Sequence, residues 1–507
     1  MRIFQSKKMI YTYKDPAQSN KSWIETKTTF TSVIGGTLSN NTTYKTIRQY
    51  MDGLGRPVQS VAVANSPAYK DVISVVEYDN QGREFKKYDP FESANATGAF
   101  VTTASMPTNH PYTKLEYEAS PLSRTSIVTP PSWLSTVTTY GTNTQGEAYD
   151  NTGAAYFPAN TLNKTTITDP DGRVSKVYTD KKGRKVFTVK NQNSAPGGHY
   201  MIYSFDDKDR VNKVYTPRNH WKEWFYAPNL DYSYVYDLND NMTLKQLPDI
   251  APISMQYNAR NQLVLMQDGK QASASQWLAT QYDDYGRPSA TGFATSTALN
   301  ATTFNPTLSS TLTTTDYSTV AGTELGKPIR TKNYLGTYLE SFMQYDGYGR
   351  LSNAFSNNQL YSPSGAITAT NFSEKITIGY DLADNVLTKT RIHKPNASTS
   401  RTIAETMDYD NGLRLKQMKH QVDAMPVQIL SYNDYNVKNQ LITKWMGKTN
   451  VNYLQKVDYT YNSLGWLMGI NSPSQIQGFS SLATIGNLPN MYSPNSSNSD
   501  LDYNDLW

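Results

Sequence analysis

Hydrophobic positions in this sequence arrive in short bursts separated by Asp, Asn and Gly. In Asp71-Val72-Ile73-Ser74-Val75-Val76-Glu77-Tyr78 and Arg184-Lys185-Val186-Phe187-Thr188-Val189-Lys190, β-branched and aromatic residues dominate. Runs of about 5 to 8 such residues, bounded by turn formers, read as strands. Many of the bursts end in Tyr and are followed by the same punctuation, so the chain reads as β-hairpins in series.

That punctuation is Tyr, then Asp or Asn, two variable residues, Gly or Asn, and usually Arg or Gln. It occurs at Tyr78-Asp79-Asn80-Gln81-Gly82-Arg83, at Tyr282-Asp283-Asp284-Tyr285-Gly286-Arg287 and at Tyr345-Asp346-Gly347-Tyr348-Gly349-Arg350. Asn is read in the glycine's place in Tyr236-Asp237-Leu238-Asn239-Asp240-Asn241 and Tyr380-Asp381-Leu382-Ala383-Asp384-Asn385. Tyr257-Asn258-Ala259-Arg260-Asn261-Gln262 and Tyr435-Asn436-Val437-Lys438-Asn439-Gln440 are near copies of each other. Looser copies follow Tyr178 (Asp180, Gly183, Arg184), Phe205, Tyr409 (Asp410) and Tyr461, and an early copy holds Asp52, Gly55 and Arg56. From Asp180 the steps are 26, 31, 21 and 25 residues; after a gap of 63 they are 35, 29, 26 and 26. A period of this size fits one supersecondary unit per repeat.

Asp or Asn at the first position and Gly at the fourth suit a type I turn, with the Asp side chain accepting from the turn backbone. The fourth position requires left-handed backbone, which Gly adopts freely and Asn better than most. Hairpins at this interval bury their apolar faces only against neighbours. The expected fold is all-β: a spiralling antiparallel sheet of stacked hairpins with an irregular N-terminal β domain.

Composition supports the pattern. The 507 residues include 38 Tyr but only 18% charged residues, against about a quarter in ordinary soluble domains. Tyr and Thr suit a pleated, half-buried surface. The net charge of +5 is not gathered into a block, so Lys and Arg read as solvated strand positions and no nucleic-acid partner is expected. With no cysteine, disulfides and thiolate chemistry are excluded. No apolar run reaches the length of a membrane span, and Met1-Arg2-Ile3-Phe4-Gln5-Ser6-Lys7-Lys8 has no apolar core of a signal peptide behind it.

The Tyr-Asp-x-x-Gly-Arg repeats resemble the YD repeats of RHS proteins, teneurins and toxin-complex shells. Tyr50-Met51-Asp52-Gly53-Leu54-Gly55-Arg56-Pro57-Val58-Gln59-Ser60-Val61 resembles the start of RHS proteins of the Bacteroidota type. The resemblance covers about residues 30 to 470. It implies a hollow β-shell, secreted or at the cell surface, that carries a C-terminal cargo, often a toxin. The chain stops at Leu501-Asp502-Tyr503-Asn504-Asp505-Leu506-Trp507, before any RHS core, so the expected partners are such a cargo or a downstream core chain, and truncation is expected.

No enzyme, cofactor or metal is expected. The histidines at 110, 199, 220, 393 and 420 lack metal or triad spacing. Gly447-Lys448-Thr449 lacks the upstream glycine of a phosphate loop, since position 442 is Ile442. Asp237-Leu238-Asn239-Asp240-Asn241 spaces oxygens like a calcium loop, but Met242 replaces the glycine. Asp169-Pro170-Asp171-Gly172-Arg173 resembles the family's self-cleavage motif, yet ends in Arg and reads as a turn. Asp–Arg pairs such as Asp283 with Arg287 repeat, which argues for one structural job done many times. The alternative function is carbohydrate binding or adhesion, with Trp221, Trp224 and Tyr226 as candidate glycan-stacking residues.

The expected organisation is an irregular N-terminus (1–30), an N-terminal β domain (31–165) with long loops over 90–160, a first array (166–290), a loop-rich insertion (291–330), a second array (331–470) and a linker or tail (471–507).

Overall fold

A computed structural model of the chain describes residues 9–14, 22–29, 44–102, 105–150, 155–190, 199–216, 231–320, 322, 324–334, 339–358, 361–448 and 452–471. These residues form one sheet of 33 strands, from Met9–Lys14 to Leu467–Ile470, with one short helix, Gly269–Ser273. No helix among them is long and apolar enough to cross a membrane.

The sheet is a ribbon in which sequence neighbours pair antiparallel, as the hairpin pattern requires. It is not closed: among the described residues no ladder joins the first strand to the last. One departure occurs early. The two-residue strand Phe91–Glu92 folds back onto Val72–Tyr78, and Glu84–Tyr88 pairs onward with Tyr112–Tyr117. Val72–Tyr78 therefore belongs to both the N-terminal sheet and the repeat sheet, and welds them into one ribbon.

Strand boundaries differ from expectation where the sequence is rich in Ser, Thr and Asn. Two strands, Met9–Lys14 and Ser22–Thr29, pair within the stretch expected to be irregular. Tyr112–Tyr117, Thr125–Thr129 and Thr136–Thr142 lie within the expected loops of 90–160. Ser310–Tyr317 and Pro328–Asn333 carry the ladder through the expected insertion at 291–330. Thr is a good strand residue, so a Thr-rich stretch without large apolar groups still completes a ladder.

Burial follows the two-residue period where the sheet is covered: Pro57–Val63 buries alternate residues, Gln59 and Val61. Elsewhere most strand positions are half-buried on both faces, as along Leu415–Val422. The fully buried apolar groups form separate clusters, one around Trp23, Tyr50, Val61 and Ile73, one around Leu162, Tyr178, Phe187 and Ile202, and one around Val264, Leu265, Ala279 and Ala294. A ribbon with satellite clusters has to be held by something other than one central core. The turns supply it.

Candidate functional site

The turn at Asp346 is representative. The Asp346 N–H donates to the Arg350 carbonyl at 2.8 Å, and the Gly349 N–H donates back to the Asp346 carbonyl at 2.8 Å. Oδ1 of Asp346 accepts from the Tyr348 and Arg350 N–H groups at 2.9 and 2.8 Å, while Oδ2 accepts from Arg350 Nε at 2.8 Å. One carboxylate thus satisfies two turn amides and a guanidinium. The register shifts by one residue at the preceding Tyr345, a bulge recurring at Tyr236, Tyr257, Tyr282, Tyr380, Tyr409 and Tyr435. The turns at Asp52, Asp79, Asp180, Asp237, Asn258, Asp283, Asp381, Asp410 and Asn436 share the backbone bonding.

First and fifth positions are chemically matched. An Asp is paired with a donor, whether Arg56, Arg83, Arg184, Arg287 and Arg414 or the amide of Asn241 and Asn385. Where the first residue is Asn258 or Asn436, the fifth is Gln, and the direction reverses: Asn258 Nδ2 donates to Gln262 Oε1 at 2.8 Å and Asn436 Nδ2 to Gln440 Oε1 at 2.7 Å; the last turn, with Asn462 first and Trp466 fifth, lacks the match. An acceptor-only carboxylate demands a donor, whereas an amide can supply one.

This places Asn241 and Asn385 differently from the sequence reading. They occupy the fifth, arginine position, and the left-handed residues are Asp240 and Asp384, both at φ 68°. In the Asp410 turn it is Leu413, at φ 62°, rather than Gly412. Asn261 and Asn439, at φ 59° and 64°, and Gly55, Gly82, Gly183, Gly286 and Gly349 do sit at the left-handed position.

The tolerance for Asp and Asn there has a physical reason, because fifth residues reach forward to the following turn. Arg210 Nη1 donates to Asp240 Oδ1 at 2.6 Å, Arg350 Nη1 to Asp384 Oδ1 at 3.1 Å, and Arg414 Nη1 to Asn439 Oδ1 at 3.0 Å. Over the left-handed glycines Gly82, Gly286 and Gly465 the previous turn's fifth side chain lies close, whereas Gly55 and Gly183 have open space there. A Cβ on Gly82 would stand 2.7 Å from Arg56 Nη1, and one on Gly286 2.9 Å from Gln262 Nε2.

The tyrosine completes the link. In nine cases among the described residues, the Tyr before a turn donates its hydroxyl to the carbonyl just after the previous turn's fifth residue, and Tyr140 and Tyr345 make the same bond after the longer turns Glu118–Arg124 and Ser318–Lys327. Examples are Tyr78 to Pro57 at 2.9 Å, Tyr236 to Val211 at 2.9 Å, Tyr282 to Leu263 at 2.8 Å and Tyr380 to Leu351 at 3.0 Å. The same ring lies under the previous arginine: Arg56 is 4.4 Å from Tyr78, Arg287 4.3 Å from Tyr317 and Arg350 4.6 Å from Tyr380. Burial pushes the hydroxyls of Tyr78, Tyr236, Tyr282, Tyr345 and Tyr435 above the usual range, so they remain donors. The backbone N–H of Arg56, followed by its guanidinium and the Leu54 N–H, holds the Asp52 carboxyl below the usual carboxylate range, and Asp79 is held likewise by Arg83.

The turns therefore form a spine along one margin of the ribbon. Local turn chemistry alone does not confer membership. Asp169–Arg173 has the same backbone bonds, but lies on the opposite margin with Arg173 well exposed.

The opposite margin of the first hairpins meets the spine much later in sequence. Lys45 Nζ donates to the Gly412 carbonyl at 3.2 Å, Asn411 Nδ2 to the Ala64 carbonyl at 3.4 Å, Arg414 Nη2 to the Asn65 carbonyl at 3.2 Å, and Lys438 Nζ to Asp89 Oδ2 at 2.6 Å. These partners are 347 to 367 residues apart. The ribbon thus curls round and stacks one circuit edge-on against the next. Side-chain exposure of Asp410 and Arg414 falls to 9% and 8%, against 16% and 31% for Asp52 and Arg56.

Trp221, Trp224 and Tyr226, the candidate glycan-stacking residues, lie outside the described residues. Sequence reasoning missed the hydroxyl-to-carbonyl links and the edge-on contact; the constant pairing of Tyr with an Arg one repeat earlier was the available signal for the first.

Comparison with solved structures bears on the architecture. The chain superposes on the crystal structure of TcdB2-TccC3-TEV with a TM-score of 0.62 over 89% of its length, at 13% identity. The chain has a Tc-toxin shell fold. It superposes with a TM-score of 0.61 on the Photorhabdus luminescens Tc holotoxin pore, again at 13% identity over 89% of this chain. It spans 23% and 22% of those two chains. A family model described as a domain of unknown function, DUF6443, matches residues 24–142, over the N-terminal hairpins. No curated protein matches the chain.

Proposed function

We propose that this chain is a non-enzymatic segment of an RHS-type β-shell, secreted or presented at the cell surface, whose task is to form part of a wall around a cargo. The spine carries this reading: its polar side chains are spent on linking consecutive turns, repeat after repeat. A wall needs that repetition, and a reaction centre does not. The shared fold with TcdB2-TccC3 supports the architecture, and a C-terminal toxin or a further core chain is the partner class it suggests.

The test is protection. A small folded reporter fused after residue 507 of the full chain should be digested by an added protease at least several-fold more slowly than the same reporter free in solution. Equal digestion, with the turn spine intact by hydrogen exchange, would remove the carrier reading and leave only the fold.

A further inference from the structure

Successive strands of the ribbon are joined by backbone ladders, but the contact between circuits is of another kind. Among the described residues no ladder connects residues 44–98 with residues 400–448. The junction consists of four side-chain hydrogen bonds, three to backbone carbonyls and one between charged groups, Lys438 and Asp89 at 2.6 Å. Three of the four donors are the cations Lys45, Arg414 and Lys438, and they come from both sides: Lys45 from the opposite margin, Arg414 and Lys438 from the spine.

The turn at Asp410 is adapted to this role. Its left-handed residue is Leu413, where the other five-residue turns of the spine have Gly, Asp or Asn. Gly412 presents its carbonyl to Lys45, and Asn411 reaches the Ala64 carbonyl. Arg414 has two Nη groups employed in different directions, Nη1 forward along the spine to Asn439 and Nη2 across the seam to Asn65. Asn65 and Ser66, next to the contact, are buried, at 6% and 3% exposure.

We propose that this seam is a salt-sensitive latch: contacts of Lys45, Asn411, Arg414 and the Lys438–Asp89 pair hold the first hairpins against the spine one circuit on, and their release loosens the shell there while the ribbon itself stays folded. The Lys438–Asp89 pair, with side chains 28% and 19% exposed, weakens as salt screens it, whereas the backbone ladders and the buried Arg414 contact are screened little. The seam is thus the joint that yields first. The inference concerns the internal mechanics of the fold and stands whether or not the shell carries a cargo.

Two measurements on the full chain test it. A zero-length carbodiimide joins an amine to a carboxylate in contact, forming an amide bond while the carbodiimide takes up the water as its urea. It should join Lys438 to Asp89 in the monomer, as it joins Lys182 to Asp209, a 2.9 Å pair along the spine. Finding the control link but not the seam link would overturn the contact. Hydrogen exchange in 0.05 and 1 M sodium chloride should then accelerate roughly two- to fivefold at 64–71 and 410–414. It should stay unchanged at 258–262, where the neutral Asn258–Gln262 pair closes the turn. Unchanged exchange at the seam, or equal acceleration at all three segments, would overturn the latch. Lys438→Glu should mimic high salt, and pairing it with Asp89→Lys should restore protection. If either variant misfolds by circular dichroism, the wild-type salt series still decides.

Discussion

The matched first and fifth positions of the turns invite a double-mutant cycle at Asp346 and Arg350. In Asp346→Asn the amide oxygen can still accept from the Tyr348 and Arg350 N–H groups, now 2.9 and 2.8 Å from Oδ1, so the turn backbone is retained. What is lost is the charge-assisted bond to Arg350 Nε, and the new NH2 group points at a guanidinium that cannot accept. Hydrogen bonds to charged groups contribute about 1.5–3 kcal/mol. With both side chains about a fifth exposed (23% and 18%), we expect a cost of about 1–2 kcal/mol. In an Arg350→Gln background the same change should cost close to nothing, because Asn and Gln form the neutral pair already present at Asn258–Gln262 and Asn436–Gln440. The coupling energy is therefore about 1–2 kcal/mol. Arg350→Gln alone also forfeits the bond to the Asp381 carbonyl and the ring of Tyr380, so only the cycle, and not either single variant, isolates the match. A repeat array need not unfold in one step, so the assay is native-state hydrogen exchange at residues 346–350, where about 1.4 kcal/mol appears as tenfold in protection. A coupling below about 0.3 kcal/mol would show that the residue types at these two positions are independent and would refute the pairing rule.

Three further outcomes follow from the same geometry. Tyr380→Phe, which strips the donor from the Leu351 carbonyl, should lower stability by about 0.5–1.5 kcal/mol in denaturant melts, whereas Tyr257→Phe should be nearly neutral, since that hydroxyl meets only Met255 Sδ at 4.0 Å. Gly82→Ala should cost more than Gly183→Ala: both sit near φ +80° and share a strain of about 1–2 kcal/mol, but only at Gly82 does the new methyl meet Arg56, and equal melting shifts would contradict the forward reach. Because Asp52, Asp79, Asp206 and Asp237 have folded-state acidities shifted below the free value, their contribution is fully present above about pH 4 and is lost as pH falls through the lowered values. Circular dichroism should hold down to about pH 4 and decline below it; a loss beginning near pH 6 would point to other groups.

Much of the turn row was legible because its chemistry is local. An Asp that caps amides two and four residues on, and a Gly with positive φ, leave their mark within five consecutive residues. The left-handed assignment slipped at Asp240 and Asp384 because Asn, a residue suited to that backbone, stands directly after each; the position is set by count, three residues on from the first Asp, as at Gly82 and Gly349. Tyr78 and Arg56 looked like strand ends; the bond from Tyr78 to the Pro57 carbonyl, beside Arg56, spans 21 residues and appears only when hairpins stack. The seam was beyond reach for a stronger form of the same reason. Nothing near Lys438 in sequence hints at Asp89, since curvature accumulated over some 350 residues brings them together. Thr-rich strands such as Ser310–Tyr317 were read as loops because they lack the large apolar groups that mark a covered face.

Because the links between repeats are concentrated on a single margin, the two borders of the ribbon face different evolutionary constraints. On the spine side most connections keep the same five-residue turn, and the longer ones, such as Glu118–Arg124 and Ser318–Lys327, still deliver the following carbonyl to a tyrosine. On the other side, connections already vary in length, from the few residues separating Lys448 and Tyr453 to the long stretches before Tyr112 and Glu374. That border can acquire new segments with little effect on its neighbours, apart from the few residues pressed against the next circuit. Epitope tags, glycan-recognition loops or docking peptides would be accommodated there, which makes the fold a frame that can change its outward fittings while its hinge line stays fixed.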